Sequence, residues 1–427
     1  MNLLFYHAKI LPTAESEIID GEVHVSDGKI IYVGKEKAFD ADRRIDCKGS
    51  LLMPGFANAH THSAMTLFRG FADDLPLQEW LYDRIFPLES YLTEEDVYWG
   101  TMLALAEYVR GGTTAIADMY YAEDAIIQAV KKSELAMGMW AGASDLTGKT
   151  NEALNHVEEY YLKYRDNERI RYHLGVHSEY LASDALLYGM ADLSQTYGAP
   201  TTAHVSETLK ETGECTVRRN LTPTQFLHKI GYFDFGGVIA HGTYLDKDDV
   251  ALLSEKGVYC ASNPGSNLKL ASGIAPVYSM LKNNMKVCLG TDGAASNNAL
   301  SMFREMYLLS CLQKGMMKDA TAVLAEQAIA CATVNGYRAL GLNGGTLEVG
   351  NPADMILLDL SAPNFRPLND VKKHIVYSAD TANVLMTVAN GKIVYNQGNY
   401  DIGEDIDEIY RKAEQCIRRL KSKAGMK

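Results

Sequence analysis

The sequence predicts an α/β chain, a (β/α)8 TIM barrel carrying a small β-sandwich built from both chain ends. Three observations carry this. Eight short apolar runs recur through the middle of the chain, mostly separated by helix-length segments. Residues 1–55 and 345–400 are instead dense in β-branched runs broken by turn residues. A length of 427 residues suits one large domain with a satellite better than a single small core. The predicted boundaries are therefore 1–55 plus 345–400 for the sandwich, 56–344 for the barrel and 401–427 for a terminal helix. A doubly wound open sheet is the competing arrangement for the middle.

In chain order, Val23-His24-Val25, Lys29-Ile30-Ile31-Tyr32-Val33 and Ile45-Asp46-Cys47 are strand-like, with turns at Ser26-Asp27-Gly28 and Gly34-Lys35. Matching runs at 354–358, 384–388 and 392–395 return near the end, punctuated by Asn390-Gly391 and Gln397-Gly398. Between them, strands are predicted at 56–62, 113–118, 136–143, 171–177, 200–204, 237–241, 257–262 and 286–292. The helix before the second of these starts at the capping-box-like Thr93-Glu94-Glu95-Asp96 and stops at Gly111-Gly112. Residues 404–427 read as a polar, mostly solvated helix.

Composition narrows the function classes. A content of 47% hydrophobic and 22% charged residues is that of an ordinary globular chain. A net charge of −13 argues against nucleic acid or an anionic membrane as partner. Seven scattered cysteines with no Cys-x-x-Cys read as buried reduced thiols. No basic segment followed by a long apolar one opens the chain, and no apolar run approaches ~18 residues. A cytoplasmic location is expected.

A (β/α)8 barrel places its chemistry at the C-terminal ends of its strands. The polar residues there are His60 and His62 on the first strand, His177 on the fourth, His204 on the fifth, His241 on the sixth and Asp292 on the eighth. On an extended strand His60 and His62 share a face. His60, His62, His204 and Asp292 form a donor set for one divalent first-row ion, Zn2+ first, with Fe2+ or Mn2+ as alternatives. Glu207, three residues beyond His204, is placed to transfer a proton without binding metal. His241 is expected to orient the attacking hydroxide. The fourth strand ends in His177 rather than a bridging lysine, so a single metal is the simpler expectation. His7, His24, His156, His173, His228 and His374 have no place in this pattern.

These residues resemble the amidohydrolase superfamily, in its branch of nucleobase and nucleoside aminohydrolases and chlorohydrolases. The resemblance covers nearly the whole chain. It rests on Pro54-Gly55-Phe56-Ala57-Asn58-Ala59-His60-Thr61-His62, His204-Val205-Ser206-Glu207-Thr208, Ala240-His241-Gly242, Ser266-Asn267-Leu268-Lys269-Leu270 and Gly290-Thr291-Asp292-Gly293-Ala294-Ala295-Ser296-Asn297-Asn298. It implies hydrolytic deamination of an aromatic N-heterocycle by one metal, usually zinc. Glu207 then protonates a ring nitrogen, His241 stands beside the hydroxide, and Asp292 passes the water proton to the departing amine. Barrels of this branch are often homo-oligomers.

For the substrate, Trp80 matches a position that packs on it, Glu89 one that holds ribose hydroxyls, and His177 one that touches the base. These favour an adenosine-type nucleoside: 5′-methylthioadenosine, adenosine or S-adenosylhomocysteine. Two departures weigh against the last. Trp140-Ala141-Gly142 stands where the family carries an arginine for the amino-acid carboxylate, with Lys149 the only nearby cation. Glu179, where the family has proline, is expected to bring a negative charge to the pocket. Guanine, pterin, cytosine-like or creatinine aminohydrolases and triazine chlorohydrolases are the rivals within enzymes. A catalytically silent scaffold is the rival from another class. A zinc-dependent cytidine-type nucleic-acid deaminase is excluded, because the His-x-Glu and Pro-Cys-x-x-Cys signature is absent.

Overall fold

The computed structural model describes residues 1–75, 79–145 and 148–426. The N-terminal part forms β1 (Asn2–Ile10), β2 (Ile19–Ser26), β3 (Lys29–Gly34), β4 (Arg43–Asp46) and β5 (Leu51–Pro54). The middle supplies β6 (Phe56–Thr61), β7 (Thr113–Asp118), β8 (Ala136–Trp140), β9 (Ile170–Ser178), β10 (Thr201–Val205), β11 (Gly237–His241), β12 (Tyr259–Ser262) and β13 (Lys286–Leu289). The C-terminal part adds β14 (Met355–Leu358), β15 (Val384–Ala389), β16 (Lys392–Asn396) and β17 (Asn399–Tyr400). Five helices matter below: α1 (Glu94–Arg110), α2 (Leu209–Arg219), α3 (Pro264–Lys269), α4 (Met302–Met317) and α5 (Ile406–Lys423).

All eight predicted central strands form, each within a few residues of its expected span. They lie side by side in chain order from β6 to β13, and every pair is parallel. Helical crossovers between parallel neighbours give the (β/α)8 barrel. The seam between β13 and β6 closes through the turn after β13. There Thr291 and Asp292 donate their amides to the His60 carbonyl at 3.1 and 2.9 Å. Asn58 adds two side-chain bonds to Thr291, at 2.7 and 2.9 Å. Small residues on the strands (Ala57, Ala59, Ala115, Ala117, Ala240 and Ala261) make room for Trp140 and Tyr337 in one buried cluster.

The two chain ends assemble together, as expected, and are hydrogen-bonded into one continuous nine-stranded mixed sheet. Its order is β17-β16-β15-β14-β5-β1-β2-β3, with β4 alongside β1. The antiparallel β5–β14 pair, Leu51↔Leu358 to Pro54↔Met355, joins the two ends. The sheet has its own apolar cluster, including Leu3, Phe5, Ile10, Val23, Met355 and Val388. Arg169 fastens it to the barrel by two bonds to the buried Asp354, at 2.7 and 3.1 Å.

One expectation is sharpened. Helix α5 is polar and largely solvated, but it is more than a surface segment: Ile409, Ala413, Cys416 and Leu420 are buried along one stripe, and the helix packs on α1. Lys412 pairs with Glu95 at 2.9 Å, and Arg419 with the buried Asp96. All seven cysteines are free, six of them buried. Among the described residues, no helix is long and apolar enough to cross a membrane.

Candidate metal centre

The predicted ligands converge at the C-terminal ends of β6, β10 and β13. Nitrogens of His60, His204 and His241 lie within 4.8 Å of one another, as do donor atoms of His60, His62 and Asp292. Asp292 Oδ1 stands 3.6 Å from His60 Nε2 and 3.1 Å from His62 Nε2. The other carboxylate oxygen, Oδ2, accepts the hydroxyls of Ser266 at 2.6 Å and Ser296 at 2.8 Å, which turns Oδ1 toward the histidines.

The imidazoles are held from behind. His62 Nδ1 meets the Met119 carbonyl at 2.5 Å, His204 Nδ1 the His177 carbonyl at 2.7 Å and His241 Nδ1 the Asn267 side-chain oxygen at 2.8 Å. Donation through Nδ1 leaves Nε2 of each ring as the atom turned to the cavity, the orientation that metal-binding histidines take. Without an ion, and against burial, the facing carboxylates raise His62 to about 9 and also raise His241. His60 is fully buried, and neither of its nitrogens has a hydrogen-bond partner among the described residues. Burial lowers its pKa to about 4 against the opposing pull of the nearby Asp292 carboxylate, so it stays neutral at physiological pH. His204 is held well below its ordinary value by burial and by the neighbouring imidazoles. A buried, unpartnered neutral imidazole beside a carboxylate and further imidazoles fits a divalent first-row cation. Asp292 and His241 both sit in the left-handed region, at φ +60° and +72°. The strand-to-loop turns are thus strained where they aim these side chains.

Glu207 enters from the loop before α2. Its Oε2 is 3.8 Å from His241 Nε2, and burial raises its carboxyl above the usual range. A proton donor at neutral pH needs that shift. Glu89 is also raised by burial, with the Tyr120 hydroxyl bond at 2.5 Å and nearby His62 opposing. Trp80 is buried on the segment leading to Glu89, and its indole N–H has no partner among the described residues. The His177 ring stacks on His204 with centroids 4.4 Å apart.

A family model for the amidohydrolase family matches residues 51–394. The chain belongs to the amidohydrolase family. This amidohydrolase is 40% identical over 404 residues to a 5-methylthioadenosine/S-adenosylhomocysteine deaminase of Acetivibrio thermocellus, covering 92% of this chain and 94% of that one. It is 41% identical over 413 residues to a 5′-deoxyadenosine deaminase of Methanosarcina mazei, covering 95% and 96%. A crystal structure of an adenosine deaminase from Xanthomonas campestris with bound zinc superposes with a TM-score of 0.93 at 32% identity, covering 98% of both chains. The histidine–aspartate cluster and the zinc-bearing neighbour together support a divalent metal in this amidohydrolase.

Not every predicted site residue of the amidohydrolase sits where it was expected. Glu179 is buried, and its carboxylate is taken by Arg218 at 2.6 Å and Arg219 at 2.5 Å. The expectation of an uncompensated charge facing the ligand is therefore corrected: two guanidinium groups on α2 balance it. Lys149 pairs with Glu152 at 2.8 Å, and the adjoining residues 146 and 147 lie outside the described residues. Of the histidines left out of the pattern, His24 meets Glu22 at 2.6 Å, His173 the Leu340 carbonyl at 3.1 Å and His156 Glu123 at 2.7 Å. Four supports of the site have no role in the sequence pattern described above: Ser266, Asn267, Ser296 and Asn58. Ser266, Asn267 and Ser296 lie inside the two long motif blocks, where short polar residues crowd an apolar background. That crowding was the available signal.

Proposed function

We propose that this amidohydrolase is a zinc-dependent hydrolytic deaminase of an adenosine-type nucleoside, a hydrolase acting on the C–N bond of a cyclic amidine and releasing ammonia. The observation that carries it is the placing of Glu207 beside His241 and above a histidine–aspartate donor set. His60, His62, His204 and Asp292 would hold the ion. Such an ion, when bound, lowers the pKa of a coordinated water from 15.7 to about 7 and so supplies hydroxide at neutral pH.

The side chains do the rest. Glu207, whose carboxyl burial shifts toward the protonated form, donates to a ring nitrogen of the substrate and makes the amino-bearing carbon electrophilic. His241, fixed by Asn267, presents Nε2 to the attacking oxygen and holds its orientation. Asp292, its Oδ2 anchored by two serine hydroxyls, takes the water proton on Oδ1 and delivers it to the leaving amine. Glu89 accepts ribose hydroxyls, Trp80 packs on the nucleoside and His177 meets the base.

The substrate class follows from what the pocket wall lacks. Trp140-Ala141-Gly142 provides no cation for an amino-acid carboxylate, and Lys149 is already paired. The charge argument from Glu179 no longer contributes. 5′-Methylthioadenosine, 5′-deoxyadenosine and adenosine are therefore preferred over S-adenosylhomocysteine. The relatives named above support the nucleoside class. Ammonia release by the zinc-loaded enzyme from these four compounds and guanine, compared by kcat/KM, tests the proposal. The neutral nucleosides should lead; a preference for S-adenosylhomocysteine overturns the ranking, and activity on guanine alone overturns the nucleoside assignment.

A further inference from the structure

Glu211 lies in the first turn of α2, is 6% exposed and is outside the proposed donor set. Thr208 and Glu211 form a capping box, in which the Glu normally reaches back to the amide of the N-cap residue. Here that contact, to the Thr208 amide, is the longest of three, at 3.4 Å. The short ones go further back. Oε1 accepts the Ser206 amide at 2.8 Å and Oε2 the Glu207 amide at 2.7 Å. Helix capping alone does not need these two bonds.

The segment so gripped is under strain. Ser206 is a non-glycine residue at φ +54°, where a side chain crowds its own backbone. This kink diverts the chain out of β10 and swings Glu207 toward His241. The three converging amides favour the ionised, acceptor-only form of this carboxyl and oppose burial and the nearby Glu207, which together push it up to about 7. A Gln at this position would turn an NH2 group toward one of the amides.

We infer that Glu211 is a positioning residue for Glu207, clamping the strained Ser206–Glu207 backbone so that the Glu207 carboxyl reaches the substrate ring. The inference rests on the proposed role of Glu207 as proton donor. A misplacement of about 1 Å in a catalytic group can cost 10²-fold in rate.

The test is a double-mutant cycle on the zinc-loaded enzyme with 5′-methylthioadenosine, following kcat, KM, bound zinc and thermal midpoint. Glu211→Gln should lower kcat roughly 10- to 100-fold with KM and zinc content little changed. In a Glu207→Gln background the same change should lower kcat no further, because the group being positioned is already gone. Thr208→Ala, which removes the capping hydroxyl that accepts the Glu211 amide at 3.1 Å but leaves the grip on Ser206 and Glu207, should lower the midpoint while keeping kcat within about threefold. If Glu211→Gln does not fold, Glu211→Asp replaces it and should show the same kcat loss through insufficient reach. Wild-type kcat in a folded Glu211 variant, or full additivity with Glu207→Gln, overturns the positioning role. An unimpaired Glu207→Gln enzyme instead removes the donor role on which it rests.

Discussion

The main-chain carbonyl of His60 accepts the amide of Asp292 at 2.9 Å. The first and last members of the donor set, 232 positions apart in the chain, are thereby locked together across the seam where the barrel closes. Strand pairing does not make this seam; backbone and side-chain bonds from the turn after β13 do. The bonds that close the barrel therefore also hold two of the proposed ligands side by side.

Asn58→Ala should weaken both the closure and the metal centre. It removes the bonds at 2.7 and 2.9 Å to Thr291 inside a buried environment. The expected loss is about 1–3 kcal/mol of stability, read from urea unfolding. A bound divalent metal should also leave the variant faster under dialysis against a chelator. A variant with wild-type stability and metal retention would show that the main-chain bonds to His60 alone hold the seam.

Glu207→Gln should keep its metal, because Glu207 lies outside the proposed donor set, and lose roughly 10²–10⁴-fold in kcat. Metal analysis beside ammonia release separates the two effects. Loss of zinc together with activity would move Glu207 into the donor set.

The eight strands and the convergence of His60, His62, His204 and Asp292 were legible because each ends an apolar run with a polar group, a pattern local to its own segment. Relations between distant segments were not. Glu179 looked like a free pocket charge because its partners, Arg218 and Arg219, lie about 40 residues later on α2, facing a loop whose course only the fold defines. Glu211 did carry a local signal, the Thr-x-x-Glu capping pattern. Its bonds beyond the cap depend on the positive φ of Ser206, which no side-chain pattern announces. β1, from Asn2 to Ile10, falls within the predicted β region but shows no clean run of its own, because its alternation is broken by His7, itself at φ +52°.

Helix α5 shows a stripe that the sequence did contain. Ile409, Ala413, Cys416 and Leu420 recur at helical spacing within an otherwise charged segment, and their burial against α1 makes them part of the core. Leu420 is fully buried. Leu420→Ala should cost about 2–5 kcal/mol in denaturant unfolding. A loss under about 0.5 kcal/mol, the range of ordinary surface substitutions, would mean that α5 detaches without consequence.

Glu305 on α4 links α3 to the short helical turn Ala294–Asn297, the two segments that support the site. It accepts the Gly265 amide at 2.8 Å and the Asn297 side-chain amide at 2.9 Å. Burial pushes its carboxyl up to about 7, against the two hydrogen bonds and Arg304, with Asp292 adding to the rise. The folded chain thus holds this proton over a pH range in which the unfolded chain has released it. Stability from this group is full below about pH 4.5 and declines as the pH rises toward 7. Glu305→Gln, neutral throughout, should flatten that decline by something on the order of 3 kcal/mol across the window. Unfolding curves at several pH values from 4.5 to 7.5, compared between the two proteins, supply the measurement; parallel profiles would mean that Glu305 titrates normally.

Glu89 is the residue on which the nucleoside assignment turns. Its buried carboxyl is held by the Tyr120 hydroxyl at 2.5 Å and lies within electrostatic reach of His62, so a ribose bound to it would stand beside the metal centre. If Glu89 accepts the sugar hydroxyls, Glu89→Ala removes two charge-assisted bonds, each worth about 1.5–3 kcal/mol. The kcat/KM for 5′-methylthioadenosine should then fall by at least 10²-fold. Adenine, which has no ribose, should be processed no worse than by the wild-type enzyme. Tyr120→Phe should show a smaller loss of the same selectivity, because it frees the carboxyl from its anchor without removing it. Equal losses on nucleoside and free base would instead place Glu89 in the support of His62 rather than in ribose recognition.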